Sequence, residues 1–168
     1  VYDGDKELTV LSISNMGKEA TSGIIEIEET LDISKSYRVE IEGYGEKAVV
    51  PTAVFDSQYF IDNFTYDGDD LGATIHGDKT TFKVWAPTAS RVVLNLFSAG
   101  NGGSAYESVD MNKGERGVWS YTAKCGHGTY YTYTVTTSVG TQEAVDPYAK
   151  AAGLNGNRGM VVDLSRTN

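Results

Sequence analysis

Few residues of this chain have the types and spacing that chemistry requires. Two adjacent carboxylates, Asp69 and Asp70, could act as a general acid and a general base, the roles that paired carboxyl groups play in many enzymes. They lie in a glycine-bounded segment, however, where aspartate is favoured because its side chain hydrogen bonds to the nearby backbone. We therefore interpret Asp69 and Asp70 as a structural turn. Glu26 and Glu28 have the spacing of the exposed side of a strand.

The other reactive side chains do not form a metal site, a nucleophilic triad or a phosphate-binding loop. Cys125 and His127 supply two ligands in a turn-like segment, whereas a structural zinc ion takes four. His76 is far away in the sequence, and no serine stands in a pattern with a histidine and an aspartate. The glycine-rich segment 100–103 precedes neither a helix nor the Lys-Ser/Thr pair of a phosphate loop. We predict no metal ion, no cofactor and no catalytic residue.

The composition is that of a folded, soluble protein. Of the 168 residues, 40% are apolar and 22% are charged. The net charge of -9, from 14 basic and 23 acidic residues, argues against nucleic acid, because phosphate backbones are bound by clustered lysine and arginine. No apolar run approaches the roughly 18 residues of a membrane-spanning helix, and the first residues show no signal-peptide pattern. The single cysteine leaves the redox compartment open.

The amino-terminal part of the chain is predicted to be a small β domain. Residues 37–42 alternate apolar and charged side chains, which is typical of a half-buried antiparallel strand. Residues 25–28 repeat that pattern, and the apolar run 8–13 predicts a strand buried on both faces. A further strand is expected near residues 47–50. Residues 56–62 offer a helix N-cap and one or two helical turns, and we place the domain boundary after them.

Residues 63–165 are predicted to form a second β domain. Strand-like runs are separated by glycine, asparagine and serine turns with no helical pattern between them, which is typical of a β-sandwich. The runs are residues 82–85, 91–97, 118–123, 130–136 and 160–164. Tyr131 and Tyr133 share one face of their strand and are interpreted as core residues. Trp119 alternates with Tyr121, and we interpret it as a core residue as well.

Several segments of the chain together resemble one known family. They are YDGDDLGA at 66–73, FKVWAPTA at 82–89, GVW at 117–119, GTYYTY at 128–133, AVDPYAK at 144–150 and GNRGMVVDL at 156–164. These segments stand in the order found in type I pullulanases, and residues 63–165 resemble their family 48 carbohydrate-binding module. Residues 1–62 resemble the small β domain that precedes this module more loosely, mainly through LDISKSYRVE at 31–40.

The resemblance implies an all-β chain with two immunoglobulin-like β-sandwich domains in tandem. They cover residues 1–62 and 63–165, and residues 166–168 begin a linker. In this family the domains precede a catalytic α/β barrel that hydrolyses the α-1,6 bonds of pullulan, starch and glycogen. The catalytic carboxyl groups lie on barrel strands, so no catalytic motif of the family can be matched in this chain. We expect an excised or processed, non-catalytic piece of a soluble bacterial enzyme, either secreted or cytoplasmic.

The resemblance also implies a partial α-glucan site. Glucan-binding members of the module family, such as the glycogen-binding module of the AMP-activated kinase, bind sugar with two tryptophans, a lysine, a leucine and an asparagine. Matched residue by residue, Tyr106 takes the place of the first stacking tryptophan and Thr132 that of the lysine. Leu154 and Asn157 lie near the leucine and asparagine positions. The second tryptophan falls within residues 139–143, where this chain has no aromatic side chain.

Trp85 suggests a second surface. It lies opposite Phe82 and Val84 in a run that stops at Pro87, because proline donates nothing to a strand ladder. Since an exposed tryptophan marks an interface more often than a solvated face, we expect Trp85 and Tyr148 near the surface that packs on the barrel. Sugar stacking on Trp85 is the other interpretation. For the whole chain, the open alternatives are a purely structural support for the barrel, a complete enzyme, and an adhesion module.

Overall fold

The computed structural model describes residues 1–14 and 20–166. The chain divides into two compact units, Val1–Phe55 and Asp56–Asn168. The domain boundary predicted after residue 62 would fall inside the helix Gln58–Phe64, whereas this division places the whole helix in the second unit.

The first unit consists of antiparallel strands. The strands are β1 Tyr2–Asp3, β2 Lys6–Glu7, β3 Val10–Ser14, β4 Ile24–Ile27, β5 Tyr37–Ile41 and β6 Gly45–Ala48. One sheet has the strand order β2-β1-β5-β6, and β3 pairs with β4 in a separate ribbon. The strands predicted from the alternation in residues 25–28 and 37–42 are confirmed.

The apolar interior of the first unit is small. Leu8 and Ile33 are buried, and the buried Ser34 donates a hydrogen bond from Oγ to Oδ1 of Asp32 at 2.7 Å. The prediction that residues 8–13 form a strand buried on both faces is wrong, because every residue of β3 is exposed. A two-stranded ribbon lacks the further strands or layers that would cover the two faces of a strand.

The second unit is a β-sandwich. The elements are α1 Gln58–Phe64, β7 Gly72–His76, β8 Lys79–Trp85, β9 Ala89–Phe97, β10 Glu107–Asp110, β11 Asn112–Lys113, β12 Val118–Ala123, β13 Tyr130–Thr137, β14 Gly140–Ala144, β15 Ala151–Ala152 and β16 Gly159–Met160. One sheet, the β8 sheet, has the strand order β11-β12-β8-β7. The other, the β9 sheet, has the order β10-β9-β13-β16-β15, and β14 also pairs with β13. The all-β prediction is confirmed.

The remaining regular elements of the described residues are short 3-10 turns and the helix α1. The turns are Ala53–Asp56, Glu115–Gly117, Leu154–Gly156 and Leu164–Arg166. The linker predicted for residues 166–168 begins in the last turn, and its residues 167 and 168 lie outside the described part of the chain. No helix within residues 1–14 and 20–166 has the length and apolar character needed to cross a membrane.

The core of the second unit lies between the β8 and β9 sheets. Phe82 from β8 contacts Tyr131 from β13 edge to face, with 4.9 Å between ring centroids. Tyr133 is fully buried beside Tyr131, and Trp119 is buried too, so the predicted core positions of these residues are confirmed. Large aromatic rings supply much of the buried apolar area that stabilises a sandwich of this size.

A buried carboxylate lies at one edge of this core. Asp146 is 3% exposed, and its Oδ2 accepts hydrogen bonds from the hydroxyls of Tyr131 at 2.8 Å and Tyr133 at 3.4 Å. Its Oδ1 accepts a hydrogen bond from the backbone N–H of Tyr148 at 2.9 Å. Burial raises the pKa of Asp146 above its ordinary value, against the lowering effect of these donors. Tyr131 and Tyr133 thus keep their hydroxyls paired inside the core.

We predict that Asp146 makes the second unit more stable in acid than at neutral pH. Since its pKa is raised in the folded state, the folded chain retains a proton that the unfolded chain releases above an ordinary aspartate pKa of about 3.9. This stability is fully present below that pH and is lost as the pH rises through the folded-state pKa. The Asp146→Asn variant has no titrating group at this position. As the pH rises from about 3.9 through the folded-state pKa of Asp146, the free energy of unfolding of the wild type should therefore fall relative to that of the variant.

The measurement is urea denaturation at a series of pH values, followed by tryptophan fluorescence. Both tryptophans of the chain, Trp85 and Trp119, lie in the second unit, so the signal reports on that unit. The other carboxyl groups are the same in both proteins and cancel in the difference. A difference that stays constant between pH 3 and pH 8, or that grows in favour of the wild type with rising pH, would contradict the prediction.

Candidate functional site

A polar pocket lies on the outer side of the β9 sheet. Its position follows from strand alternation: Tyr131 and Tyr133 of β13 face the core, so Thr132 between them faces outward. The pocket has a volume of about 420 Å³ and contains no aromatic side chain among its described lining residues. The lining residues are Asn101, Gly102, Thr132, Glu143, Ala144, Val145, Asn157 and Arg158.

A hydrogen-bonded network of polar side chains reaches the pocket through Thr132 and Glu143, which line it. Strand register places Ser108 of β10 opposite Asn95 of β9, and Asn95 opposite Thr132 of β13. Ser108 Oγ donates to Asn95 Oδ1 at 2.8 Å, and Asn95 Nδ2 donates to Thr134 Oγ1 at 2.8 Å and to Thr132 Oγ1 at 3.3 Å. Thr132 Oγ1 in turn donates to Glu143 Oε1 at 2.5 Å. The network holds these side chains in fixed orientations.

Arg158 holds one wall of the pocket in place. Its guanidinium lies over the ring of Phe97, 3.5 Å from the centroid, which is a cation–π contact. Nη1 donates to the carbonyl oxygens of Ala99 at 2.7 Å and Gly102 at 2.8 Å, and Nη2 donates to that of Gly103 at 3.0 Å. These bonds fix the β9–β10 connection, which carries Asn101 into the pocket. The rigid fork of an arginine suits several carbonyl acceptors at once.

The turn Leu154–Gly156 adjoins the pocket next to Asn157, and the residue before it, Gly153, packs closely on the β9–β10 connection. A Cβ atom at Gly153 would lie 2.4 Å from the carbonyl oxygen of Gly100, so only glycine fits there. Asn155 adopts a positive φ of 58°, a conformation that asparagine tolerates better than most residues. The backbone N–H of Asn157 donates to the Leu154 carbonyl at 3.4 Å and closes the turn.

The structure brings two of the three predicted sugar-binding residues together. Asn157 lines the pocket, and Leu154 lies at the start of the adjoining turn with 60% of its surface exposed. Tyr106 is 56% exposed and lies outside the pocket lining, at the end of the β9–β10 connection. Burial of part of its side chain raises the pKa of Tyr106. Tyr106 is therefore an exposed aromatic surface separate from the pocket wall.

Trp85, predicted to lie at a docking surface, has contacts inside the second unit. Its Nε1 donates to the carbonyl oxygens of Phe64 at 2.9 Å and Arg116 at 3.0 Å. Its ring is 6.3 Å from that of Phe60, edge to face, and it remains 38% exposed. Trp85 therefore anchors the C-terminal end of α1 to the sandwich. Tyr148, the other predicted docking residue, is 49% exposed.

Arg116 strengthens the same anchor. Its Nη1 donates to the carbonyl oxygens of Asp62 at 3.0 Å and Thr65 at 3.2 Å, at the C-terminal end of α1. These are carbonyl groups that helix geometry leaves without intrahelical partners. The N-terminal end is capped by Ser57, whose Oγ accepts from the backbone N–H of Phe60 at 3.2 Å. The N-cap and helical turns predicted for residues 56–62 are confirmed.

The residues considered for catalysis have structural contacts. Asp70 accepts hydrogen bonds from Lys83 and Tyr66, and these donors hold the pKa of its carboxyl below the ordinary value. His127 accepts the backbone N–H of Asp163 on Nδ1 at 3.2 Å. Within the described residues, no group of three or more His, Cys, Asp and Glu side chains is placed to hold a metal ion.

Sequence reasoning missed Glu143 and Arg158 as parts of the site. Glu143 belongs to a short strand, β14, whose residues are all exposed. Its contact with Thr132 depends on the register between β13 and β14, and no local pattern in the sequence predicts that register. Arg158 lies inside a recognised segment, GNRGMVVDL, but its partners are backbone carbonyls 55 to 59 residues earlier in the chain.

The second unit is similar to a known family of carbohydrate-binding modules. Residues 70–149 match the model of "Carbohydrate-binding module 48 (Isoamylase N-terminal domain)". The chain is 38% identical to the pullulanase of Bacillus subtilis (strain 168) over 116 residues, which cover 68% of this chain and 15% of that protein.

Solved structures show the same relationship. The crystal structure of a pullulanase from Anoxybacillus sp. LM18-11 superposes with a TM-score of 0.74 and 36% identity, over 96% of this chain and 23% of that one. The pullulanase from Paenibacillus barengoltzii, in complex with maltohexaose and α-cyclodextrin, superposes with a TM-score of 0.62 and 39% identity, over 67% of this chain and 17% of that one.

The matched residues 70–149 lie within the second unit, which is therefore similar to a carbohydrate-binding module of family 48. The chain is similar to a short N-terminal part of pullulanases, which confirms the resemblance drawn from its motifs. It spans between about a seventh and a quarter of the length of these relatives.

The contacts of Trp85 lead to a stability prediction. Trp85→Phe keeps an aromatic ring but removes the N–H that serves Phe64 and Arg116, so the free energy of unfolding should fall by about 1 kcal/mol. Trp85→Ala also removes the edge contact with Phe60 and should cost more. Urea denaturation monitored by the remaining Trp119 fluorescence measures both effects.

Tyr148→Phe is the matched control, because it changes an exposed aromatic residue that is not part of the α1 anchor. We expect it to leave the unfolding midpoint unchanged. If Trp85→Phe and Trp85→Ala unfold at the wild-type midpoint, Trp85 does not anchor the helix and acts only as an exposed surface residue.

Proposed function

We propose that this chain is a non-catalytic accessory region of a pullulanase-like debranching enzyme. In this role it binds α-glucan, such as pullulan, starch or glycogen, or positions it for a catalytic barrel that hydrolyses α-1,6 bonds. The family 48 module and the similarity to several pullulanases support this function. The Paenibacillus barengoltzii pullulanase was crystallised with maltohexaose and α-cyclodextrin, which are α-glucans.

The observation that carries the proposal is the exposed turn from Leu154 to Asn157 beside the polar pocket. Asn157 and Asn101 are amides, which can both donate to and accept from sugar hydroxyls. Leu154 offers an exposed apolar contact next to them. Such a surface suits a neutral, hydroxyl-rich polymer, for which the net charge of -9 is no obstacle.

In the same proposal, Tyr106 supplies a flat ring against which a glucose unit can stack. It is 56% exposed, and a tyrosine joins an apolar face to a polar tip. Trp85 and Tyr148 are proposed to lie toward the catalytic barrel of the same protein, because both remain partly exposed after packing within the second unit. The chain alone is expected to release no reducing sugar from pullulan.

The alternative is a purely structural role, in which the domains stabilise and orient the barrel and bind no sugar themselves. The exposed aromatic residues Trp85 and Tyr148 favour it, because they provide a surface for packing without any sugar. The two functions differ in one simple property, the affinity of the isolated chain for glucan.

We predict that amylopectin in a native gel retards the wild-type chain. Asn157→Ala and Leu154→Ala should each weaken the affinity about threefold to tenfold, since each removes one hydrogen bond or one apolar contact. Tyr106→Ala should weaken it about tenfold through the loss of the stacking surface. Affinity electrophoresis over a range of amylopectin concentrations gives the dissociation constants.

The matched controls are Tyr44→Ala, an exposed tyrosine of the first unit, and Asn112→Ala, an exposed asparagine of the β8 sheet. Both variants should migrate as the wild type does. A wild-type chain with the same mobility in the presence and absence of amylopectin would remove the glucan-binding proposal and leave the structural alternative. Retardation that none of the three site substitutions weakens would place the sugar elsewhere on the chain.

A further inference from the structure

The polar pocket contains an acidic side chain that the general glucan proposal does not use. Glu143 lies on β14 and is exposed at the pocket wall. A neutral sugar does not require a charge for its recognition. The placement of Glu143 is nevertheless tightly controlled, because β14 pairs with β13 in a register that sets Glu143 opposite Thr134 and beside Thr132.

Glu143 stands at the end of a chain of hydrogen bonds that all run in one direction. Ser108 donates to Asn95, Asn95 donates to Thr132, and Thr132 donates to Glu143 Oε1 at 2.5 Å. Successive donors of this kind polarise one another, so the last bond in the chain is strengthened. A hydrogen bond to a charged carboxylate is also stronger than one between neutral groups.

The middle of this network is buried. Thr132 is 2% exposed and Asn95 is 9% exposed, on the sheet face opposite the apolar core. Buried polar groups cost free energy unless they are paired, and apolar side chains at these positions would avoid the cost. A network that ends on one exposed carboxylate has a natural use, which is to hold that carboxylate in one orientation toward a ligand.

Glu143 can accept further hydrogen bonds in addition to the one from Thr132. An ionised carboxylate has about four acceptor positions on its two oxygens, and Thr132 uses one of them on Oε1. Arg158, the basic residue of the lining, donates to the carbonyls of Ala99, Gly102 and Gly103. Its guanidinium therefore shapes the pocket by holding backbone in place.

We propose that Glu143 accepts hydrogen bonds from two neighbouring hydroxyl groups of a glucose unit in this pocket. Thr132 and Asn95 are positioning residues, which act by orienting the Glu143 carboxylate. Asn101 and Asn157 complete the pocket with amide groups that can donate to the remaining sugar oxygens. The inference rests on the proposed α-glucan function and assigns its specificity to hydroxyl placement, since no aromatic ring lines the pocket in the described residues.

The test is isothermal titration of the purified chain with maltoheptaose. Glu143→Gln keeps the shape and an acceptor for Thr132 but removes the charge, and it should lower the affinity about fivefold. Glu143→Ala removes both oxygens and should lower it about tenfold. Glu115→Gln, at an exposed turn before β12 of the other sheet, is the matched control and should bind as the wild type does.

The positioning role has its own pair of variants. Thr132→Val has nearly the same shape as threonine but lacks the hydroxyl, and it should weaken maltoheptaose binding about threefold to fivefold. Thr132→Ser restores the hydroxyl and should restore the affinity, which a role in packing alone would not produce. If Thr132→Ser binds as weakly as Thr132→Val, the positioning role is wrong.

The outcomes separate this inference from the function on which it rests. A wild-type chain that does not bind maltoheptaose overturns both. Binding that Asn157→Ala weakens, while Glu143→Gln and Glu143→Ala leave it at the wild-type value, overturns the inference alone. Tryptophan fluorescence confirms that each variant is folded, and if Glu143→Ala fails to fold, the more conservative Glu143→Gln decides the question.

Discussion

The strict alternation of side chains along β13 is the constraint on which the second unit depends. One face of the strand places Tyr131 and Tyr133 in the core, and the other places Thr132 in the lining of the pocket. A shift of one residue in its register would turn the threonines toward the apolar core and the tyrosines away from it. Core packing and the candidate site are therefore set by the same strand, and β13 is held by pairing with β9, β14 and β16.

Buried polar groups make that register specific. Asp146 pairs with the hydroxyls of Tyr131 and Tyr133 on the inner side, and Asn95 pairs with Thr132 and Thr134 on the outer side. If the register slipped, each of these groups would lose its partner in a region of low water content, which costs more than the loss of an apolar contact. The apolar residues of the core determine that the strands pack, and the polar ones determine in which alignment.

Much of this fold is predictable from local patterns. The strands at residues 25–28 and 37–42, the helix near residue 58 and the buried positions of Tyr131 and Trp119 follow from alternation and capping, which depend on neighbouring residues. The exposure of β3 does not follow from a local pattern, because apolar composition alone cannot reveal whether a second layer covers a strand. A local pattern reports on what a residue prefers, and only the pairing of strands decides what surrounds it.

The candidate site was predictable only in part for a related reason. Asn157 and Leu154 were predicted by matching single positions with glucan-binding modules, whereas the contacts of Glu143 and Arg158 depend on partners in other strands and loops. Trp85 has a predictable position in its strand but unpredictable contacts. Its place on the outward face was readable from the sequence, whereas its bonds to Phe64 and Arg116 depend on a helix that packs against it from outside the strand.

The close approach of Gly100 and Gly153 makes the pocket adjustable by very small changes of volume. The two backbones are in contact, so their separation is set by atomic radii and leaves no slack for a side chain. A single methyl group at Gly153 would act as a wedge, pushing the Leu154–Gly156 turn away from the β9–β10 connection without touching the core strands. A change of this size at one glycine would therefore move Asn157 relative to Asn101, while the sandwich that carries both residues stays the same.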